Sequence, residues 1–511
     1  MKAYHTLIFL CSILLVLIGL CFFFPEKGVE ICGKVFDFPS LTEVMQKGGT
    51  DTESADDRLR RMEEDLRLKI EQDSLNRVYE AEMADSMAFV DTLKSYQKLL
   101  FEATAKLTFP NDDPSILYSL FDDLDSCAKG KESIHILHYG DSQIEQDRIS
   151  GYIREELQNK FGGWGVGLVP AIQPIPSLSV AQTSSDSIPR YIADGTLRQK
   201  LSHDRYGVLA QMAEVDGSVS LTFASRKWKK TFPHAKKFSK VCLLVGNTDA
   251  GFSAALVVNG KDSTQTLKKE QAGMTKLTWQ LGTPVSNVGL KIRGKAEIYG
   301  ISMESKSGVF VDNIPLRGSS GTFFTKISPQ LLSESMKKMN VKLILMEYGG
   351  NATPHLKKDE SISNFKKNIG RQIAFMKKLN PNAKIIFIGP ADMNTMVDGK
   401  LQSYDKLEPI IDSLKSVALE NGAMFWDMYS VMGGKNSMQK WVKHSPAWAT
   451  TDYIHFTEKG ASRIAEVFMQ SFNNSYDYYH FLCRNKKWSK IKTQSKPQNK
   501  TQNKTQNKPK K

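Results

Sequence analysis

A chain of 511 residues, 41% hydrophobic and 24% charged, is long enough for two or three domains and has the composition of globular protein. Its formal charge of +14 suggests a nucleic-acid binder only until the charge is located: residues 484–511 hold eleven Lys or Arg and no acid. The excess is a property of the tail, so composition excludes a basic nucleic-acid-binding body, and no nucleic-acid partner is expected.

The first element is Leu7 to Phe24, an uncharged run just long enough to cross a bilayer as a helix. No small-residue cleavage site follows it, which predicts an uncleaved, single-pass anchor over residues 1–25, with the rest of the chain on the periplasmic or extracellular side of a cell membrane. Cys11 and Cys21 lie in that run, while Cys32, Cys127, Cys242 and Cys483 are scattered, with neither metal-ligand spacing nor a disulfide framework. Residues 26–108 read as a linker and an amphipathic helical stalk, because Leu59, Met62, Leu66 and Ile70 recur at helical spacing; a helix packed on the domain body would carry the same pattern.

The stretch HILHYGDSQIEQD, residues 135–147, runs out of a short buried strand and turns sharply at Gly-Asp-Ser, with a helix expected over Ile144–Phe161. Ser142 thereby falls at a sheet's C-terminal edge beside the free N–H groups of a helix start, which is where ligands gather in open α/β sheets. A simple capping role for Asp141 or Ser142 is the alternative. From about residue 181 to 308 the runs GSVSLTFAS, KVCLLVGNT, FSAALVVNG, KLTWQLG, VGLKIRG and AEIYGISME, separated by turn residues, predict a β-sandwich. After residue 308 strands and helices alternate: KLILMEYGGN, a helix over Ile362–Lys378, KIIFIGP, a helix over Lys406–Asn421, then MFWDM. This predicts an α/β domain with a mostly parallel sheet, spanning 109–180 and 309–482 and interrupted by the β segment. Residues 483–511, with their Thr-Gln-Asn-Lys repeats, hold almost nothing apolar and are expected to be a disordered basic tail.

A serine nucleophile needs a base, a group that orients the base, and donors for an oxyanion. TDYIHFTEKG sets Asp452 three residues before His455, just ahead of a helix expected near Thr457. EYGGN follows a strand and offers the Asn351 amide, and LRGSSG offers the Gly318 N–H, with Gly321 close by as a rival. Singly, each is more often a turn or a surface residue; their order and their placement at strand ends make the signal.

On these residues the chain resembles the SGNH/GDSL hydrolases. YGDSQ matches the first block of that family with Ser142, LRGSSG the second with Gly318, GGN the third with Asn351, and DYIH the last with Asp452 and His455. Gln143 stands where many members have Leu, and Ala352 where many have Asp. The resemblance implies a flavodoxin-like three-layer fold and a serine esterase without metal or cofactor, in which Ser142, Asp452 and His455 act together and Ser142, Gly318 and Asn351 form the oxyanion hole. The β segment between the first and second blocks matches the layout of bacterial peptidoglycan and polysaccharide O-acetylesterases, whose inserted domain is similar to a carbohydrate-binding module. It implies an acetylated cell-envelope glycan, peptidoglycan among the candidates, as substrate. Trp228, Phe252 and Trp279 of the inserted segment are candidate sugar platforms, with a place in the sandwich core as the commoner role for such a Trp. Two other readings stand beside it: an O-acetyltransferase partnered with a membrane-bound O-acyltransferase, and a non-catalytic glycan-binding scaffold.

Overall fold

In a computed structural model the chain is described at residues 11–13, 15–20, 22, 29–31, 34–36, 42, 55–79, 86–199, 201–227 and 232–485. Two compact units divide it, residues 1–54 and 55–511. In the first, Val29–Ile31 pairs antiparallel with Lys34–Phe36. The expected membrane anchor gains no support: among the described residues no helix is long and apolar enough to cross a membrane. Residues 11–13, 15–20 and 22 of that run are helical, and the rest of it lies outside the described residues. The tail beyond residue 485 also lies outside them.

The second unit is built around a six-stranded sheet. Its strands are β1 (Ser133–Gly140), β2 (Gly308–Pro315), β3 (Val341–Glu347), β4 (Lys384–Ile388) and β5 (Met424–Trp426), with Leu107–Thr108 as an antiparallel edge. The spatial order is β2-β1-β3-β4-β5, and all five pair in parallel. This is the flavodoxin-like order, whose switch point lies between β1 and β3. Each strand is nearly continuous in apolar residues because both of its faces are covered. Ile134, Ile136, Leu343, Leu345, Ile386 and Trp426 point into one core with the helices Tyr118–Ala128, α1 (Arg148–Phe161) and α5 (Glu458–Arg484). The alternate residues Leu137, Tyr139, Ile344, Met346, Phe387 and Phe425 point into a second core, with α2 (Pro329–Met339), α3 (Asp359–Leu379) and α4 (Leu407–Glu420).

Residues 55–79 and 86–101 form helices as expected, but they lie on this body instead of standing clear of it as a stalk. Met62 is buried in the α1/α5 core, and the Asp65 carboxylate accepts the Thr104 N–H at 3.0 Å.

The inserted β segment supplies eight strands of one folded, nine-stranded antiparallel sheet. VGLKIRG and AEIYGISME, expected as two strands, are a single strand, Asn287–Glu304, because its ladder with Gln211–Ser225 continues unbroken through the Gly294–Gly217 pair. The sheet also takes in Gly167–Val169, which pairs with residues 301–303. Phe252 and Trp279 are not sugar platforms: both are buried in this sheet's own core, and the Trp279 Nε1–H donates to the Ser263 carbonyl. Trp228 lies outside the described residues. Nor is the segment packed as a separate body. Ile192, Tyr206, Val208, Leu209 and Tyr299 share the core of α2, α3 and α4, and the Tyr139 hydroxyl of β1 donates to the Val208 carbonyl at 2.6 Å.

Candidate active site

The chain leaves β1 at Gly140 and makes short turns over Ser142–Asp147, broken by a kink at Glu145 and Gln146, before α1 begins at Arg148. The helix expected from Ile144 therefore starts later, because Gln146 and Asp147 are left-handed, with φ of 62° and 68°. Asp147 is held there by the buried Arg154 guanidinium and the Ser179 hydroxyl. The capping role falls to Asp141, whose Oδ1 accepts the Gln143 N–H at 2.9 Å. Ser142 is left with its hydroxyl turned to a different partner.

That partner is His455. Ser142 Oγ lies 2.8 Å from His455 Nε2, and His455 Nδ1 lies 2.7 Å from Asp452 Oδ2. A carboxylate can only accept, so Nδ1 carries the proton toward Asp452, and Nε2 presents its lone pair to the serine O–H. The loop before α5 is wound on Asp452: its Oδ1 accepts the Ile454 and His455 N–H groups and the Thr450 hydroxyl. Burial raises the pKa of Asp452, but these hydrogen bonds, together with the one from His455, outweigh it and hold the carboxyl well below the usual carboxylate range. Thr457 caps α5 by accepting the Gly460 N–H, which fixes where the loop ends.

The candidate oxyanion donors lie around the same cleft, a depression of about 840 Å³ lined by Ser142, Gly318, Asn351, Asp452 and His455. Gly318 has a φ of +77°, and a Cβ there would meet the Thr196 side chain at 2.6 Å, so the position favours glycine on both counts. Its rival Gly321 is already committed, donating its N–H to Ser319 Oγ at 3.1 Å. Asn351 Nδ2 is occupied in this state: it donates to Asp141 Oδ2 at 2.7 Å and to the Ser319 carbonyl at 3.2 Å. Asp141 is buried, which pushes its pKa up to about 7; the nearby Glu347 and Glu145 charges add to the rise, against the hydrogen bonds from Gln143 and Asn351.

Several neighbours escaped the sequence reading. Arg317, beside Gly318, donates through Nε and Nη2 to the two oxygens of the largely buried Glu145 at 2.7 and 2.6 Å. Arg148 reaches back across the turn after β1 to four carbonyl oxygens. The inserted segment adds Thr196, whose N–H donates to the Arg317 carbonyl at 2.7 Å, and Asp194, which accepts the Ser319 hydroxyl at 2.7 Å. None sits at a spacing that periodicity or a short motif reveals; only Gln143, a departure within a recognisable block, carried a visible mark. Among the described residues no group of three His, Cys, Asp or Glu side chains is placed to hold a metal ion.

No family model matches the chain, and no curated protein does. Among solved structures it is similar to a peptidoglycan O-acetylesterase, 21% identical, over 70% of this chain and 96% of that one, with a TM-score of 0.56. A family two carbohydrate esterase from Cellvibrio japonicus matches more loosely, 8% identical over 59% of this chain and 99% of that one, with a TM-score of 0.25.

Proposed function

From an SGNH/GDSL hydrolase-type fold, we propose that this protein is a serine esterase that removes O-acetyl groups from a cell-envelope polysaccharide, peptidoglycan being the first candidate. The observation that carries the reading is the assembled chain of hydrogen bonds from Ser142 through His455 to Asp452, at 2.8 and 2.7 Å. Ser142 Oγ attacks the ester carbonyl while His455 Nε2 takes its proton, and Asp452 stabilises the imidazolium. The Ser142 and Gly318 N–H groups and the Asn351 amide, released from the Ser319 carbonyl, receive the tetrahedral oxyanion. The sugar alcohol leaves with the proton from His455, and water then releases acetate through the same base. The polysaccharide assignment draws support from the likeness to the peptidoglycan O-acetylesterase.

A membrane attachment through Leu7–Phe24 belongs to the same proposal. It is supported by the exposure of Leu15, Val16 and Phe22, each more than 60% open to solvent, since clustered apolar surface of this kind favours a lipid or protein cover.

The test is acetate release by the purified full chain from acetylated peptidoglycan and other acetylated envelope glycans, with Ser142→Ala as the control. Release that disappears in Ser142→Ala supports the esterase. Transfer of acetyl to an acceptor glycan with no free acetate would make it a transferase, and failure of a fluorophosphonate to label Ser142 would leave a glycan-binding scaffold.

A further inference from the structure

Phe456 packs in the α1/α5 core, but in its hydrogen bonds the loop that carries Asp452 and His455 is held mainly by itself. Its internal bonds run among Thr450, Asp452, Tyr453, Ile454 and His455. Beyond the Ser142–His455 contact, the hydrogen bonds seen to tie residues 451–456 to distant parts of the chain go to the Asn394 N–H, which meets the Tyr453 carbonyl, and to Gln143 and Arg148. Gln143 directly follows the nucleophile, and its amide straddles His455. Nε2 donates to the Ile454 carbonyl at 2.6 Å, and Oε1 accepts the Phe456 N–H at 3.3 Å. Arg148 completes the tie: Nη1 donates to the Phe456 carbonyl at 2.6 Å, while Nη2 donates to the Ser142 and Gln143 carbonyls at 3.2 and 3.3 Å.

We infer that Gln143, braced by Arg148, is a positioning residue that sets the Ser142–His455 distance by clipping the peptide units on both sides of His455 to the nucleophile turn. The inference rests on the esterase reading for its meaning, since it deepens the account of the same site. The physical reason is one of lever arms. His455 is bonded to Asp452, but Asp452 travels with the same loop, so that bond orients the imidazole without locating it relative to Ser142. Beyond the packing of Phe456, location comes from a polar tie between the two loops. An amide does this with one side chain because it presents a donor and an acceptor on a single rigid plane, matching the C=O and N–H that flank His455. Leucine at this position fills similar space and supplies neither.

The test uses full-length Gln143→Leu, with Gln143→Met as a second apolar variant of similar volume in case the first misfolds. Three readouts apply: turnover of a small acetyl ester, the rate of fluorophosphonate labelling at Ser142, and hydrogen exchange of the Phe456 amide. Displacing a catalytic group by an ångström costs on the order of a hundredfold, so kcat and labelling should fall about ten- to a hundredfold with KM changed less than about twofold. The Phe456 amide should exchange faster while exchange in β1 and β3 stays as in the wild type. Gln143→Glu, which keeps the acceptor for Phe456 but turns an oxygen toward the Ile454 carbonyl, should be at least as slow. Wild-type kcat and Phe456 exchange in Gln143→Leu would overturn the inference, as would a loss of kcat matched by faster exchange throughout the sheet. A wild-type protein that neither labels nor hydrolyses esters would sink the esterase reading instead, and Phe456 exchange would still report whether the tie exists.

Discussion

Ser142, His455 and Asp452 are spread over more than 300 residues of chain yet meet within hydrogen-bond distance, and their contributions to turnover should not be independent. Once either Ser142 or His455 is replaced by Ala, removing the other should cost little more, because residues acting as a unit are grossly non-additive. Single-turnover assays of both single variants and the double variant check this; additive losses would mean that the two do not cooperate. Asn351→Ala should lower kcat by about a hundred- to a thousandfold with KM little changed, the usual cost of losing one oxyanion donor. A rise in KM at unchanged kcat would instead assign Asn351 to substrate binding. Asp141 gives a prediction in stability. Its pKa is raised from the ordinary carboxylate range to about 7, so the folded state holds a proton that the unfolded chain has released, and stability falls as pH rises from about 4 to 7. Asp141→Asn should flatten that fall, as measured by thermal or urea unfolding at several pH values.

At the scale of elements, the inserted β segment is a structural partner of the site as well as a candidate glycan binder. Residues 194–196 lie against the loop after β2: Thr196 donates to the Arg317 carbonyl and Asp194 accepts from Ser319, on either side of Gly318. Gly195 has a φ of +84°, and a Cβ there would fall 2.2 Å from the Arg317 carbonyl oxygen. Gly195→Ala should therefore cost about 1–3 kcal/mol of stability, the range for a strained left-handed residue, and lower kcat on a small acetyl ester by moving the Gly318 loop. An alanine variant with wild-type turnover would show that the contact is passive. By the same reasoning, deleting residues 181–308 should abolish activity on small esters as well as on polymer, which sedimentation and an ester assay distinguish from a simple loss of glycan affinity.

Across the whole unit, two sheets are joined by a buried charged cluster. His135 of β1 lies with Nδ1 2.7 Å from Asp312 of β2 and Nε2 3.2 Å from Glu304, the end of the long inserted strand, which in turn pairs with Lys240. With a carboxylate at each ring nitrogen, the imidazole is held as the cation. Burial opposes that charge, but the Asp312 and Glu304 charges outweigh it and raise the His135 pKa to about 9. Because the folded pKa is raised, this stabilisation is fully present below about pH 6.5 and is lost as pH rises through about 9. Replacing one member of such a cluster leaves buried charge uncompensated, so His135→Leu should destabilise the fold by about 3–5 kcal/mol and remove that alkaline loss. Urea titrations between neutral and alkaline pH would read both effects.

The sequence alone determined whatever is written in local patterns. Apolar strands alternating with amphipathic helices imply the three-layer fold, since a strand covered on both faces is largely apolar, as Leu343–Met346 is and as Ile134–Tyr139 is apart from its two histidines. The blocks around Ser142, Asn351 and Asp452–His455 are each compact enough to read, because each side chain's role depends on the few residues that turn the backbone at a strand end. Tertiary structure alone decided the rest. That Asp141 faces Asn351, that Gln143 and Arg148 clip the His455 loop, and that Thr196 of the insertion braces Gly318 all depend on contacts between segments far apart in the chain. The burial of Phe252 and Trp279 was equally beyond periodicity, because an aromatic residue on a strand carries no mark of which face its sheet turns inward until the sheet folds over and encloses its core.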